Sequence, residues 1–201
     1  MVTVTECTTL GKGRLRFHLD NGTELVLYGG EAKQFRMREG STLSDEEEHQ
    51  LIYEVVGKRA KRRTMHLLEQ MDRTEQQLRE KLKQGGYPQA CIDLALEYVK
   101  SFHYVDDYRY ACTYINYRQD HMSRYQLKVK LYGKGVPGEV IDRALEECYE
   151  GDEQEQIIHL LEKKKFDAQN SDQKEFTRVY QYLMRRGFRS NDVLHAMKSK
   201  Q

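Results

Sequence analysis

Residues 74–88 read TEQQLREKLKQGGYP, and 49 positions later residues 123–137 read SRYQLKVKLYGKGVP. Leu78 meets Leu127, Leu82 meets Leu131, Gly86 meets Gly135 and Pro88 meets Pro137. The frame continues with Ile92 on Ile141, Ala95 on Ala144 and Leu96 on Leu145. Thr74 with Gln77, and Ser123 with Gln126, have the spacing of a capping box, in which the N-cap side chain takes an amide at the helix start and the N3 side chain takes one in return. Leucines four apart give the following helix one apolar face. A glycine suits the left-handed position just past a helix end, and proline suits the opening of the next helix. Each stretch therefore predicts a helix, a tight turn and a second helix.

A third copy is present. Val179, Leu183, Gly187, Phe188, Val193 and Met197 stand 52 positions beyond Leu127, Leu131, Gly135, Val136, Ile141 and Leu145. A helix precedes each pair, and His66–Glu69 (HLLE) returns as His159–Glu162, followed in the third copy by a longer loop, 163–172. The unit is three helices in roughly 50 residues, used three times. Single units of that size cannot bury their apolar faces and must stack. The expected fold is mainly α, with three tandem three-helix repeats in an elongated, curved array and a small N-terminal extension containing a β-hairpin. The expected boundaries are 1–57 for the extension and 58–104, 105–150 and 151–201 for the repeats.

In the extension, Leu15, Phe17 and Leu19 alternate with polar residues, and Leu25–Tyr28 follows after Asn21-Gly22. An Asn-Gly step between two such runs predicts a hairpin with a type I′ turn. Gly29-Gly30 is expected to end the second strand, and residues 31–38 to form a short helix stopped by Gly40. Ser44 and Glu47 form another capping box, ahead of an apolar stripe at Leu51, Ile52, Val55 and Val56.

Composition narrows the function. Lys and Arg number 33 against 32 Asp and Glu, a net charge of +1, and charged residues reach 32% against 38% hydrophobic. No apolar run approaches the roughly 18 residues of a membrane span, and the N-terminus lacks the basic and apolar regions of a signal peptide. A cytoplasmic protein with no membrane contact is expected. Fourteen Tyr and six Phe argue for a packed chain rather than a disordered one. Cys7, Cys91, Cys112 and Cys148 make no C-x-x-C pair, and the seven histidines have no ligand spacing, so no metal is expected. Cys91, Cys112 and Cys148 lie among apolar helix residues and read as buried, reduced thiols. No phosphate-binding glycine loop and no nucleophile–base constellation is present, so no cofactor, no catalytic residue and no enzymatic activity are expected. Asp106 reads as a helix N-cap, with Asp107 favoured in the first turn.

Charge is balanced overall but not locally. Lys58, Arg59, Lys61, Arg62 and Arg63 fall within six residues. Arg73, Arg79 and Lys83 follow on the next helix, Arg124 and Lys128 on the matching helix of the second copy, and Arg178, Arg185, Arg186 and Arg189 in the third. Equivalent helices in a stack would align these cations in a stripe able to track a phosphate backbone or an acidic protein groove. Each run also reads as a solvated face paired at i,i+4. Tyr110, Tyr114 and Tyr117 lie at helical spacing and read as packing. Tyr125 and Tyr132, on the basic helix, are the better interface candidates.

These features resemble the RecX family of regulators of the RecA recombinase. Phe102–Ala111 (FHYVDDYRYA), with Tyr114 and Arg118, is similar to the aromatic-x-Asp-Asp-x-Arg-aromatic-Ala segment that opens the family's second repeat. Arg73-Thr74-Glu75 with Leu78 resembles the opening of helix two in its first repeat, and Arg186-Gly187-Phe188 the close of helix two in its third. The match runs in order over residues 58–201, and the strand-rich extension resembles one carried by a subset of the family. The resemblance implies a non-enzymatic monomer that lies in the groove of the RecA–single-stranded DNA filament and suppresses filament extension, ATPase, strand exchange and coprotease activity, thereby modulating DNA repair. A helical protein of helix-turn-helix type that binds nucleic acid directly is the competing reading, with weak direct DNA binding also compatible with the first.

Overall fold

Residues 1–199 are described by the computed structural model. The chain divides into two units, residues 1–106 and residue 107 onward.

The first unit opens with a sheet of order β3-β2-β1-β4, all antiparallel: β1 (Val2–Gly11), β2 (Arg14–Leu19), β3 (Glu24–Tyr28) and β4 (Thr42–Leu43). The predicted hairpin is β2–β3. Its turn differs from the expectation: Gly22 has φ +81° but Asn21 is not left-handed, and Gly22 N–H bonds the Leu19 carbonyl. That is a type I turn closed by a left-handed glycine, which needs only one residue at positive φ. β3 ends at Gly29-Gly30 as expected, and the same two glycines begin α1 (Gly29–Gln34). Phe17, Leu19, Leu25 and Leu27 are buried as the alternation requires.

The Ser44–Glu47 capping box forms as read and starts α2 (Asp45–His49). The helix then continues without a break through a π-helical stretch, Gln50–Val56, into α3 (Gly57–Gln70). Repeat one is completed by α4 (Glu75–Gln84) and α5 (Gln89–Ser101). Sheet and helices share one core, in which Phe17, Leu25 and Leu43 join Leu51, Leu78 and Leu96. The free edge of β3 is blunted where Val26 N–H bonds the Gly86 carbonyl at 3.2 Å. A methyl group on Gly86 would stand 2.3 Å from Val26 Cγ2, so glycine is required there by space as well as by its φ of +74°.

The second unit holds α6 (Asp107–Arg118), α7 (Arg124–Tyr132) and α8 (Gly138–Cys148), then α9 (Glu153–Lys163), α10 (Gln173–Met184) and α11 (Ser190–Ser199). Each triplet has its own apolar cluster. Equivalent positions are equivalently buried: Leu78, Leu127 and Val179; Leu82, Leu131 and Leu183; Ile92, Ile141 and Val193. Gly86, Gly135 and Gly187 all take positive φ. Pro88 and Pro137 sit one residue ahead of the first helical residue rather than inside the first turn. Ser123 caps α7 by accepting the Gln126 N–H, while its own N–H bonds the Arg186 carbonyl of the third repeat. Repeat three thus docks by its glycine turn on the start of α7.

Cys91 is buried as expected and donates to the Ile52 carbonyl at 3.2 Å; burial pushes its thiol up to about 12. Cys112 and Cys148 are half-buried on the facing helices α6 and α8, not fully buried. Tyr110 and Tyr114 pack against the second-repeat cluster, but Tyr117 is 80% exposed. The inward stripe of α6 is Tyr108, Ala111, Cys112 and Ile115, a set the tyrosine spacing alone did not pick out. Among the described residues no helix is long and apolar enough to cross a membrane.

Candidate partner-binding surface

The basic residues of the sequence reading separate into those that hold the fold together and those that face solvent. Arg59 belongs to the first group. Its guanidinium pairs with Glu31 and bonds the Val26 carbonyl, between the rings of Tyr28 and Tyr87 at 5.0 and 5.5 Å. It fastens α3 to the sheet. Arg73 Nε donates to the Leu67 carbonyl at the end of α3. Arg186 lies 3.8 Å from the Tyr182 ring centre, beside the carbonyl that receives Ser123.

Arg79 and Lys128 are equivalent, and so are their partners. Arg79 binds Asp93 at 2.6 Å and Glu75 at 3.0 Å; Lys128 binds Asp142, again 49 positions on from Asp93. Each pair ties the second helix of a repeat to the third. Hydrogen bonds from Gln89 and then Arg79 hold the Asp93 carboxyl below its usual range. Glu75 is partly desolvated, which works against ionisation, but hydrogen bonds from Lys100 and Arg79 outweigh this and its pKa is lowered.

What remains exposed gathers in two places. In the first unit, Lys58, Lys61 and Arg62 line a shallow groove of about 440 Å³ between α3 and α5, with Met65, His66 and Tyr98. Arg62 and the adjacent Arg63 are exposed. Lys58 pairs at i,i+4 with Glu54, and the Lys61 ammonium stands 5.1 Å from the Tyr98 ring centre. Tyr98 continues into an aromatic ladder that the sequence reading did not assign to the site. Phe102 meets Tyr98 edge-on at 5.1 Å and stacks with Tyr104 at 5.8 Å. The ladder exists because His103 turns left-handed, φ +55°, so that Tyr104 N–H reaches back to the Val99 carbonyl. Phe102 is 54% exposed, an uncommon position for so large an apolar side chain.

In the second unit a groove of about 610 Å³ between repeats two and three brings together Arg124, Tyr125, Lys128 and Arg189, with Tyr149 beneath Arg124. Along α7, Tyr125, Val129 and Tyr132 are exposed at i, i+4 and i+7 and form an apolar ridge. Val129 is the member that charge and aromatic counting missed. Arg178 and Arg185 are exposed, the former paired with Glu175; Lys83 lines a different groove, beside acidic residues.

Three successive helical triplets joined by glycine turns, with cations and aromatic rings on their outer faces, define a tandem-repeat protein that offers interaction surfaces. Models of the first, second and third RecX three-helix domains match residues 60–98, 106–145 and 151–197. The chain belongs to the RecX family. Regulatory protein RecX of Geobacillus kaustophilus is 32% identical over 159 residues, covering 77% of this chain and 59% of that one. Its counterpart from Caldanaerobacter subterraneus is 28% identical over 163 residues, 80% of each chain. A crystal structure of regulatory protein RecX superposes with a TM-score of 0.61 at 22% identity, over 99% of this chain and all of that one. RecX from Lactobacillus salivarius gives 0.60 at 17% identity, over 72% and 96%. These two share the fold.

Proposed function

We propose that this chain is a non-enzymatic regulator of RecA that binds the groove of the RecA–single-stranded DNA filament and restrains its extension, ATPase, strand exchange and coprotease function. Membership of a family of regulatory proteins supports the reading. The observation that carries it is the exposed face of α3 and α5, where Lys58, Lys61 and Arg62 border the Tyr98 end of the Tyr98–Phe102–Tyr104 ladder. Desolvated aromatic rings beside arginine are the usual energetic centre of a protein interface, and modest contacts on successive repeats gain from effective concentration when the target is a polymer. The interface residues are Lys58, Arg62, Arg63, Tyr98 and Phe102 in the first unit and Arg124, Tyr125, Val129, Tyr132 and Arg189 in the second.

The test is RecA ATPase on single-stranded DNA, with this protein added below and up to equimolar amounts. Inhibition is expected below stoichiometry, and its absence at equimolar protein would end the proposal. Arg62→Glu with Phe102→Ala should weaken inhibition by tenfold or more while the circular dichroism spectrum is unchanged. The aromatic ladder beside these cations also favours direct nucleic-acid binding, since bases stack on exposed rings and cations meet phosphates. Anisotropy of bare labelled DNA separates the two: tight binding that falls steeply with salt would transfer the role to direct DNA binding.

A further inference from the structure

The first unit carries a second surface, of the opposite sign. Between the β2–β3 turn, α2 with its π-helical continuation, and the α4–α5 turn lies a groove of about 770 Å³, within the size range of binding clefts. Its floor is apolar. Ile52 and Ile92 are buried, Tyr87 and Pro88 half-buried, and Ala90 is exposed at the lip. Glu24, Asp45 and Glu48 line it with carboxylates, against Lys83 and His49. The His49 and Tyr53 rings lie 4.5 Å apart and add an aromatic wall.

At the rim, Asp45 already pairs with a cation. The Met1 ammonium bonds the Asp45 carboxylate, and its pKa is raised by that bond and by the charges of Asp45, Glu48 and Asp20. Glu48 is oriented by the Asn21 amide at 2.9 Å. A phosphate-bearing ligand would meet three carboxylates here. A guanidinium would meet two carboxylates and a ring face, and arginine satisfies both at once.

We propose that this groove docks a basic peptide segment of the protein partner: an arginine or lysine engages Asp45 and Glu48 against Tyr53, and a neighbouring apolar side chain rests on Ile52, Pro88 and Ala90. The inference rests on the proposed RecA reading and gives the extension a binding role beyond covering repeat one. The partner then meets cations on α3 and anions at this groove, which fixes the orientation in which the chain engages it.

The experiment uses the full chain and measures its affinity for RecA filaments assembled on single-stranded DNA. Two independent variants are compared with the wild type: Asp45→Asn with Glu48→Gln, which removes the two carboxylates proposed to engage the cation, and Ala90→Trp, which obstructs the groove at its lip. Each should bind at least tenfold more weakly with thermal unfolding unchanged, and Glu139→Gln on α8 should bind as the wild type does. Binding within twofold of the wild type for both variants overturns the docking site and leaves the RecA reading intact. A wild-type chain that does not bind the filament overturns both. A concentration-dependent dimer in sedimentation that Asp45→Asn with Glu48→Gln abolishes would assign the groove to a second copy of this chain and overturn the proposal as well.

Discussion

Arg59→Met offers the sharpest separation between a residue that binds and a residue that folds. By sequence Arg59 is one of five cations in six residues; in the fold its side chain is 20% exposed and its Glu31 partner 21%. Removing one member of a pair costs about 3–5 kcal/mol when fully buried and about 0–1 kcal/mol at the surface, so this half-buried pair lies between, near 2 kcal/mol. The charged hydrogen bond to the Val26 carbonyl adds about 1.5 kcal/mol, and the two ring contacts about 0.5 kcal/mol each. All act through one side chain and overlap rather than add, giving an expected loss of about 3 kcal/mol. With a urea slope of about 2 kcal/mol/M for a domain of this size, the unfolding midpoint of the first unit should fall by roughly 1.5 M. The readout is urea titration by circular dichroism, with Glu31→Gln and the double variant completing a cycle. A loss under about 0.5 kcal/mol, with no coupling to Glu31, would return Arg59 to the solvent-facing set and refute the division drawn here.

Gly187→Ala combines a left-handed backbone with a methyl 2.7 Å from Ser123 Oγ and 2.8 Å from Gln126 Cβ, and should cost about 2–4 kcal/mol. Gly22→Ala has the same φ of +81° and open space around it, so only the backbone cost of about 1 kcal/mol is expected; equal losses in denaturant titrations would contradict the docking of repeat three on α7. Leu78→Ala and Leu127→Ala, both fully buried at matching positions, should each cost about 3 kcal/mol, and a cost under about 1 kcal/mol at either would break their equivalence. Glu75 and Asp93 ionise more readily in the fold than in the unfolded chain. Their contribution is therefore full above about pH 5 and lost as the pH falls through their lowered folded values. Arg79→Met should lose less stability than the wild type on acidification, and an identical pH slope would argue against the pairing.

The helical repeats were open to sequence reading because their signals are local. A leucine four residues from another, a capping serine or threonine and a glycine at positive φ each act within one or two turns, and a fixed spacing of 49 residues multiplies them. The sheet was only half readable. β2 alternates and β3 is a short apolar run buried throughout its centre, but β1 buries Val2 and Val4 and then, past a bulge between Val4 and Glu6, turns Cys7 inward instead. One extra residue reverses the faces and erases the pattern. β4 is two residues long and carries no pattern of its own. The Asn21-Gly22 turn misled because the dipeptide fits both the I′ turn and the glycine-closed type I turn, and the strand pairing decides between them. For the candidate surface, the cations were found but not their partners. Glu31 lies 28 residues from Arg59, and nothing along the chain links the two. Asp93 could have been found: it shifts to Asp142 as Arg79 shifts to Lys128, a paired substitution by offset that marks a contact inside each repeat.

That paired offset bears on where recognition resides. A position repeated because the repeat must fold is occupied by the repeat's own chemistry and is poorly available to a partner. Arg79 and Lys128 are such positions, each already joined to an aspartate on the next helix. The third copy has Tyr180 and Leu194 there and closes the same helix pair differently, with the Tyr180 hydroxyl on Ser190 at 2.9 Å. The exposed Phe102, Tyr125 and Tyr132 are not positions of the common Leu-x-x-x-Leu-x-x-x-Gly frame, and neither are the arginines at 62 and 63. On the proposed reading, selection of a partner falls to positions where the copies differ, while stability falls to those where they agree. Arg79→Ala with Lys128→Ala should lower stability and leave filament affinity within a few-fold once the protein is folded, whereas Arg62→Glu with Tyr125→Ala should do the reverse. If the first pair abolished binding in a protein of unaltered stability, the shared frame itself would be the recognition surface, and the separation of folding from binding positions would fail.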